Sequence, residues 1–389
     1  MTDFTLQWVL PEPNRERAVD ALGTSAVAGW IADQLVPNFS AQTERARYAS
    51  LLCAAVRKAE STARPIAVIH RIEAEQAVHE AAHHDGEPAS ACPGVVGRQL
   101  AHAELRRLGW VWPTRPESLY KSTAFNRYRP LLRSLGLLTG TRGTRLTEAG
   151  RQLARTFPLN GSQARRCLNE ITKGEQRMLI GPLGLDGRAA HDVASPRAIR
   201  RDTYDYMRRT GVTAGPALLL LHERPPRKPD RVATALHRAY AWELISVGLL
   251  AGLRLLLDQQ RLSKAAAALG AALRQKPSPD LQGELDPDDA ARHAVALLRE
   301  AHRVEDAVPD RGAGHLTLAR TLVVDRDPVT FLRRIVEQHQ RAKGGDAWFH
   351  LPDDRVVVLA HGKNLDVRLV ARSYRLDAYA QFLRDLGKL

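Results

Sequence analysis

Cysteine, lysine and long apolar runs are all scarce in this chain. Its three cysteines, Cys53, Cys92 and Cys167, lie far apart with no C-x-x-C spacing. They make neither a disulfide framework nor a zinc knuckle, and an odd count fits a reducing compartment. The most apolar stretch, Leu244–Leu253, is bounded by Glu243 and Arg254, far short of the ~20 residues a bilayer needs. The start, MTDFTLQWVLPEP, carries Asp3 and no basic leader, so it does not read as a signal peptide. These absences predict a cytoplasmic protein that does not engage a membrane. Also missing are a G-x-x-x-x-G-K-[ST] phosphate loop, a G-x-G-x-x-G turn after a strand and a G-x-S-x-G nucleophile elbow.

What remains is an ordinary globular composition, 44% hydrophobic and 26% charged over 389 residues, enough for two or three domains. The net charge is +14, and 48 of the 57 basic residues are arginine. So strong an Arg preference reads as codon bias, which makes the total charge a poor guide to partners. Its distribution is a better one. Residues 1–120 sum to −2 and residues 181–389 to +7, whereas residues 121–180 alone carry +9. Codon bias adds arginine everywhere, but it does not strip acids from one segment. A local positive field is the footprint of a surface that meets a polyanion.

Hydrophobic periodicity predicts a mainly α protein. Tyr48, Leu51, Leu52, Ala55 and Val56 form a helical stripe, with Thr43 as N-cap and Arg45, Arg47, Arg57 and Lys58 on the other sides. A second helix follows Pro65 to about residue 84, and a third covers about 97–108. A helix over about 231–260 is Ala/Leu-rich on nearly all sides, as the buried centre of a bundle would be. Lys276 to Asp289 reads as a linker, followed by helices near 288–303 and 328–342. Three short β-type runs come next, 347–351, 355–360 and 366–372, with Pro352-Asp353-Asp354 as a turn, and a last helix spans about 376–386.

The most informative segment is 121–157, KSTAFNRYRPLLRSLGLLTGTRGTRLTEAGRQLARTF. Tyr128, Leu131, Leu132 and Leu135 make an apolar stripe that ends at Gly136. Pro130 is best accommodated if Asn126 caps a helix starting at Arg127. Leu137-Leu138, a Gly/Thr-rich tip and Leu146-Thr147-Glu148-Ala149-Gly150 follow. This resembles the bacterial winged-helix DNA-binding proteins, whose recognition helix ends in an L-x-x-x-G-L-L type phrase (here Leu132 to Leu138). Their wing hairpin returns through an L-T-x-x-G phrase (here Leu146 to Gly150). The resemblance covers about residues 97–157 only. It implies a helix in the major groove of double-stranded DNA and wing arginines on the backbone. The residues it singles out are Asn126, Arg129, Arg133, Arg142 and Arg145, flanked by Lys121, Arg127 and Arg151. A winged helix that binds protein rather than DNA fits the same pattern. The phrase Thr43-Glu-Arg-Ala-Arg-Tyr48 and the helix after it also resemble uncharacterised proteins of bacterial defence gene clusters.

One competing motif is present. His79-Glu80-Ala81-Ala82-His83 matches the H-E-x-x-H of zincin metalloproteases, in which two histidines one helical turn apart hold zinc and the Glu is the general base. A third ligand would have to be Glu104 or His102. The extended form of the motif would match Gly86 but meets Ala89 where its third histidine belongs. The surrounding Ala, Glu and Gln favour a solvated helical face with coincident histidines, so no metal or cofactor is expected. Asp286, Asp288 and Asp289 read as a helix start and Asp353-Asp354 as turn chemistry. Lys363 and Asp366 lack the rest of a nuclease motif.

The expected architecture is a helical bundle with an inserted winged-helix module and a small α+β C-terminal segment. Along the chain this gives a helical block at 1–95, the winged-helix module at 96–160, a bundle at 161–275 and the α+β segment at 276–389. The last segment could form a second winged helix edged by Arg355, Arg368 and Arg372. The functional expectation is a non-catalytic DNA-binding component of a larger bacterial assembly, in contact with double-stranded DNA and with other protein subunits. The alternatives are a protein adaptor and a zinc hydrolase.

Overall fold

The computed structural model describes residues 20–83, 98–107, 124–140, 145–159, 167–168, 170–187, 192–225, 230–276, 278–281, 287–344, 347–359, 369 and 371–389. Among them are fifteen α-helices and two two-stranded antiparallel hairpins, so the chain is mainly α with a small C-terminal α+β segment. Packing does not follow chain order. One compact unit, the bundle unit, joins the N-terminal residues through Ala32 to Pro216–Arg372. The other, the wing unit, joins Asp33–Gly215 to Ser373–Leu389.

In chain order the helices are α1 (Ser25–Leu35), α2 (Tyr48–Ala59), α3 (Pro65–His83), α4 (Arg98–Arg107), α5 (Ala124–Ser134), α6 (Glu148–Ala154), α7 (Lys173–Leu183), α8 (Pro196–Thr210), α9 (Gly215–Leu220), α10 (Arg231–Gln259), α11 (Leu262–Ala272), α12 (Ala290–Arg303), α13 (Ala313–Val323), α14 (Pro328–Lys343) and α15 (Leu376–Asp385). Strands β1 (Leu138–Thr139) and β2 (Arg145–Leu146) pair in the wing unit, and β3 (Phe349–His350) and β4 (Val357–Val358) in the bundle unit.

The bundle unit is built around α10. Asp230 caps it by accepting the Ala233 amide at 2.7 Å. The helix runs for 29 residues, well past the apolar stretch Leu244–Leu253, because neither Glu243 nor Arg254 interrupts it. By length and composition it could cross a membrane, but 89% of its most apolar window is buried against the unit's other helices. Two glycines on α10 set how closely those helices approach. A Cβ on Gly248 would stand 2.7 Å from Leu298 of α12, and one on Gly252 would stand 2.9 Å from Phe331 of α14. Glu243 is fully buried and accepts the Arg372 backbone N–H at 2.9 Å and its Nη1 at 3.0 Å. Arg372 also donates to Thr24 Oγ1 at 2.6 Å. Burial without such a partner would make a carboxylate costly.

The hairpin β3–β4 pairs Phe349 with Val358 and His350 with Val357. Asp353 (φ +54°) supplies the turn, and Asp354 accepts the Ser263 amide at 2.6 Å and its hydroxyl at 2.9 Å, holding the start of α11. Beside it, His339 is fully buried and stacked on Phe349 at 4.4 Å. The Trp348 amide donates to its Nε2 at 3.0 Å, so the proton must sit on Nδ1, which donates to the Ala21 carbonyl at 2.9 Å. Burial pushes its pKa down from the ordinary 6.5 to about 4. The unfolded chain therefore takes up a proton here at a higher pH than the folded chain does. Stability from this site is complete above pH 6.5 and is lost as pH falls toward 4, by about 3 kcal/mol in all. The melting difference between wild type and His339→Gln is expected to narrow as pH falls from about 7 to about 4.5. A gap that stays constant across that window would refute the assignment.

In the wing unit α2 is the central element, with α3, α5 and α6 packed on it. The expected stripe is buried, but so are Ala49, Ser50, Cys53 and Ala54, so α2 is enclosed on most sides. Thr43 is not its cap. It closes a preceding turn with Ser40, and the helix opens at Tyr48. Arg45 and Arg47, expected on the outer faces, are buried. Arg45 pairs with Asp385 of α15 at 2.9 Å, and Arg47 pairs with Glu175 at 3.3 Å and donates to the Cys167 carbonyl at 2.6 Å.

Helix α15 contributes Tyr379 and Phe382 to this unit, edge-on to Phe39 at 5.1 and 5.3 Å. The closing helix thus groups with the wing unit and not with the hairpin β3–β4. Arg372 is spent on Glu243, so two of the features expected of a second winged helix are used elsewhere. The third β-type run, at 366–372, and Arg368 fall largely outside the described residues.

Candidate nucleic-acid interface

The helix expected to read DNA is α5, and it starts earlier than its sequence suggests. It opens at Ala124 rather than at a cap on Asn126, because Glu73 of α3 accepts the Phe125 backbone N–H. A carboxylate brought from another helix does what a local cap would have done. Pro130 consequently lies inside the helix, on its exposed side, where water can satisfy the carbonyl a proline leaves. Ala124, Phe125, Tyr128, Leu131 and Leu132 form the buried face. Tyr128 is the anchor. Its hydroxyl accepts the Arg45 amide at 2.9 Å and donates to the Arg45 carbonyl at 3.1 Å, and burial raises its pKa well above the ordinary value.

The end of α5 and the start of the hairpin are fixed by local hydrogen bonds. Gly136 adopts φ +69°. Its amide reaches the Arg133 carbonyl at 3.0 Å and the Leu137 amide reaches Leu132 at 2.9 Å, the paired bonds of a Schellman ending. Strand β1 pairs with β2 through Leu138 with Leu146 and Thr139 with Arg145. Glu60, just past α2, accepts the Leu146 amide at 2.8 Å, tying the hairpin to the central helix. Thr147 then caps α6 by accepting the Gly150 amide at 3.1 Å, and its hydroxyl donates back to the Gly136 carbonyl at 2.6 Å.

The glycine of the L-T-x-x-G phrase has a steric cause. A Cβ on Gly150 would lie 2.1 Å from the Leu137 carbonyl oxygen, a backbone atom that cannot swing away. Replacing Gly150 with Ala is expected to cost about 3 kcal/mol by forcing α6 off the hairpin. Ala149→Ser, on the exposed side of the same turn, should change the melting temperature little. Equal melting of the two variants would contradict this account.

The structure brings most of the expected basic residues onto one contiguous framework. Asn126 and Arg133 are exposed on the outer side of α5, with Arg127 and Arg129 half-buried on its flanks. Arg145 is exposed on β2, and Arg151 is exposed on α6 at 4.0 Å from Glu148. Neither Arg133 nor Arg145 has an ionic partner among the described residues. Lys121 and Arg142 lie outside those residues. Sequence reasoning missed Arg155, four residues after Arg151 and therefore on the same side of α6. It also placed Arg57 and Lys58 on the sides of α2 away from its apolar stripe and gave them no role. All three are exposed, and the spacing of Arg151 and Arg155 was the only local signal for any of them.

The H-E-x-x-H segment forms the C-terminal end of α3. Glu80 is fully buried, not on a solvated face. Its carboxylate accepts the Leu168 backbone N–H at 2.5 Å and the Gln76 side-chain amide at 3.0 Å. It therefore links α3 to the segment that carries Cys167 and Leu168. Among the described residues no group of three or more His, Cys, Asp or Glu side chains is placed to hold a metal ion. Comparison of the chain with models of protein families, with curated proteins and with solved structures finds no match in any of the three.

Proposed function

We propose that the chain is a non-catalytic DNA-binding component of a larger bacterial DNA-transaction or phage-defence assembly, engaging double-stranded DNA through α5 and the β1–β2 hairpin. The observation that carries this reading is the root of the hairpin. Gly136, Thr147 and Gly150 fix the turn out of α5 into the hairpin and on into α6, and the two elements that root joins expose Arg133 and Arg145 without ionic partners among the described residues. A guanidinium can grip phosphate or a guanine edge with two parallel hydrogen bonds. The half-buried Arg127 and Arg129 and the exposed Arg151 would position the backbone. Other subunits of such an assembly would take up part of the remaining helical surface.

The test is a fluorescence titration of a short random-sequence duplex at two salt concentrations. With about five phosphate contacts, affinity should fall roughly 500-fold between about 50 and about 200 mM salt. No binding at the lower salt, together with a stable complex with another protein, would favour the adaptor reading and overturn this one.

A further inference from the structure

Three of the cations that sequence reasoning passed over converge on one concave site. Arg57 and Lys58, in the last turn of α2, face Arg155 at the end of α6 across a cavity of about 340 Å³. Its remaining walls are Ala54, Phe157, Pro158 and Leu159. None of the three cations has an ionic partner among the described residues. Elsewhere in this arginine-rich chain exposed arginines do pair, as in Arg71–Glu75, Arg303–Glu300 and Arg320–Glu305. Glu60, the carboxylate on the same end of α2, is committed to the Leu146 amide of the hairpin.

Cations in a last helical turn complement the helix dipole. That accounts for their sign but not for two helix ends meeting around a cavity. Three like charges facing one space repel one another until an anion enters. Phe157 is fully buried and lies 5.0 Å from the Arg47 guanidinium, so it joins the apolar wall to the unit's buried ion pair. A volume at the lower end of small-molecule pockets, with one cationic and one apolar wall, suits a group that carries phosphate on one side and a flat or apolar portion on the other.

We propose that this pocket is a nucleotide-phosphate site, in which Arg57, Lys58 and Arg155 take the phosphate oxygens and the accessible Pro158 and Leu159 take the nucleoside side. The phosphate can come from a free nucleotide or from the DNA backbone. Recognition is the same in both cases, a planar guanidinium on paired oxygens with an ammonium as a point charge. The inference does not depend on duplex binding by α5 and the hairpin.

Calorimetric titration with adenosine monophosphate and with inorganic phosphate, alongside duplex titration at two salt concentrations, tests it. The proteins compared are wild type, an Arg57→Gln/Lys58→Gln/Arg155→Gln variant and an Arg133→Glu/Arg145→Glu variant. Saturable binding of adenosine monophosphate or inorganic phosphate that disappears in the first variant and survives in the second supports a free phosphate or nucleotide as the source. Neither small ligand binding, with a duplex salt slope that drops by about 1 in the first variant, supports the proposal with the DNA backbone as the source. Equal nucleotide binding by wild type and the first variant overturns it. So does an absence of nucleotide and phosphate binding with an unchanged duplex slope, or with no duplex binding at all. Nucleotide binding by a protein that fails to bind duplex leaves this site standing and removes the function proposed above. An Arg57→Lys/Arg155→Lys variant, which keeps the charge, should retain most of the binding. If the triple variant loses its fold, Lys58→Gln and Arg155→Gln singly carry the same comparison.

Discussion

Reversing the charge at Arg133 and Arg145 together is expected to reduce duplex affinity at least 100-fold at low salt while leaving the protein folded. Both side chains are exposed, so their replacement removes no packing and strands no buried partner. They sit on the two elements joined at Gly136 and Thr147, so one variant tests helix and hairpin together. The salt dependence makes the result specific. If about five phosphate contacts become about three, the loss of affinity between about 50 and about 200 mM salt should shrink from roughly 500-fold to roughly 40-fold. A variant that binds with the wild-type salt slope would sink the assignment of α5 and the hairpin to the DNA surface. Adding Arg129→Glu should increase the loss, though Arg129 is half-buried and its variant needs a melting curve beside it.

The largest stability effect is expected at Glu175. Both partners of the Arg47–Glu175 pair are fully buried. Glu175 also completes a capping box at the start of α7, accepting the Thr172 amide at 2.7 Å while its own amide donates to the Thr172 hydroxyl at 3.2 Å. Removing the carboxylate leaves a guanidinium in the core with the Cys167 carbonyl and the face of Phe157 for company. Breaking such a pair on one side costs about 3–5 kcal/mol. For a unit of this size that is a fall in melting temperature of roughly 10 °C. Glu175→Ala should therefore destabilise more than the double replacement Arg47→Met/Glu175→Leu, in which neither charge is stranded. A double variant that is worse than the single one would show that the pair stabilises the unit by itself. Because Arg47 also lies against Phe157, Glu175→Ala should weaken nucleotide binding in the neighbouring cavity as well, which calorimetry would read directly.

The division between legible and illegible features follows the range of the forces involved. Helices α3, α10, α14 and α15 and the hairpin at Pro352-Asp353-Asp354 could be placed from periodicity and turn residues, since these act over a few positions. The hairpin root was equally readable. Gly136 needs a left-handed backbone, Thr147 a helix three residues on, and Gly150 the absence of a side chain against Leu137. The start of α5 was not readable, because the carboxylate that fixes it is Glu73, 52 residues away.

Arginine is where sequence and tertiary structure part most clearly. The sequence by itself determined that the chain is rich in arginine and that residues 121–180 are short of acids. It also determined that one helix–glycine–hairpin–helix segment lies in that window. An arginine looks the same in sequence whether it faces water or the core. Only the tertiary structure put Arg45, Arg47 and Arg372 onto Asp385, Glu175 and Glu243, ion pairs that join positions 340, 128 and 129 residues apart. It likewise brought Arg57 and Lys58 within reach of Arg155 around a cavity, although almost a hundred positions separate them. Which arginines are buried against a distant carboxylate is a property of the assembled helices, not of any local run of residues.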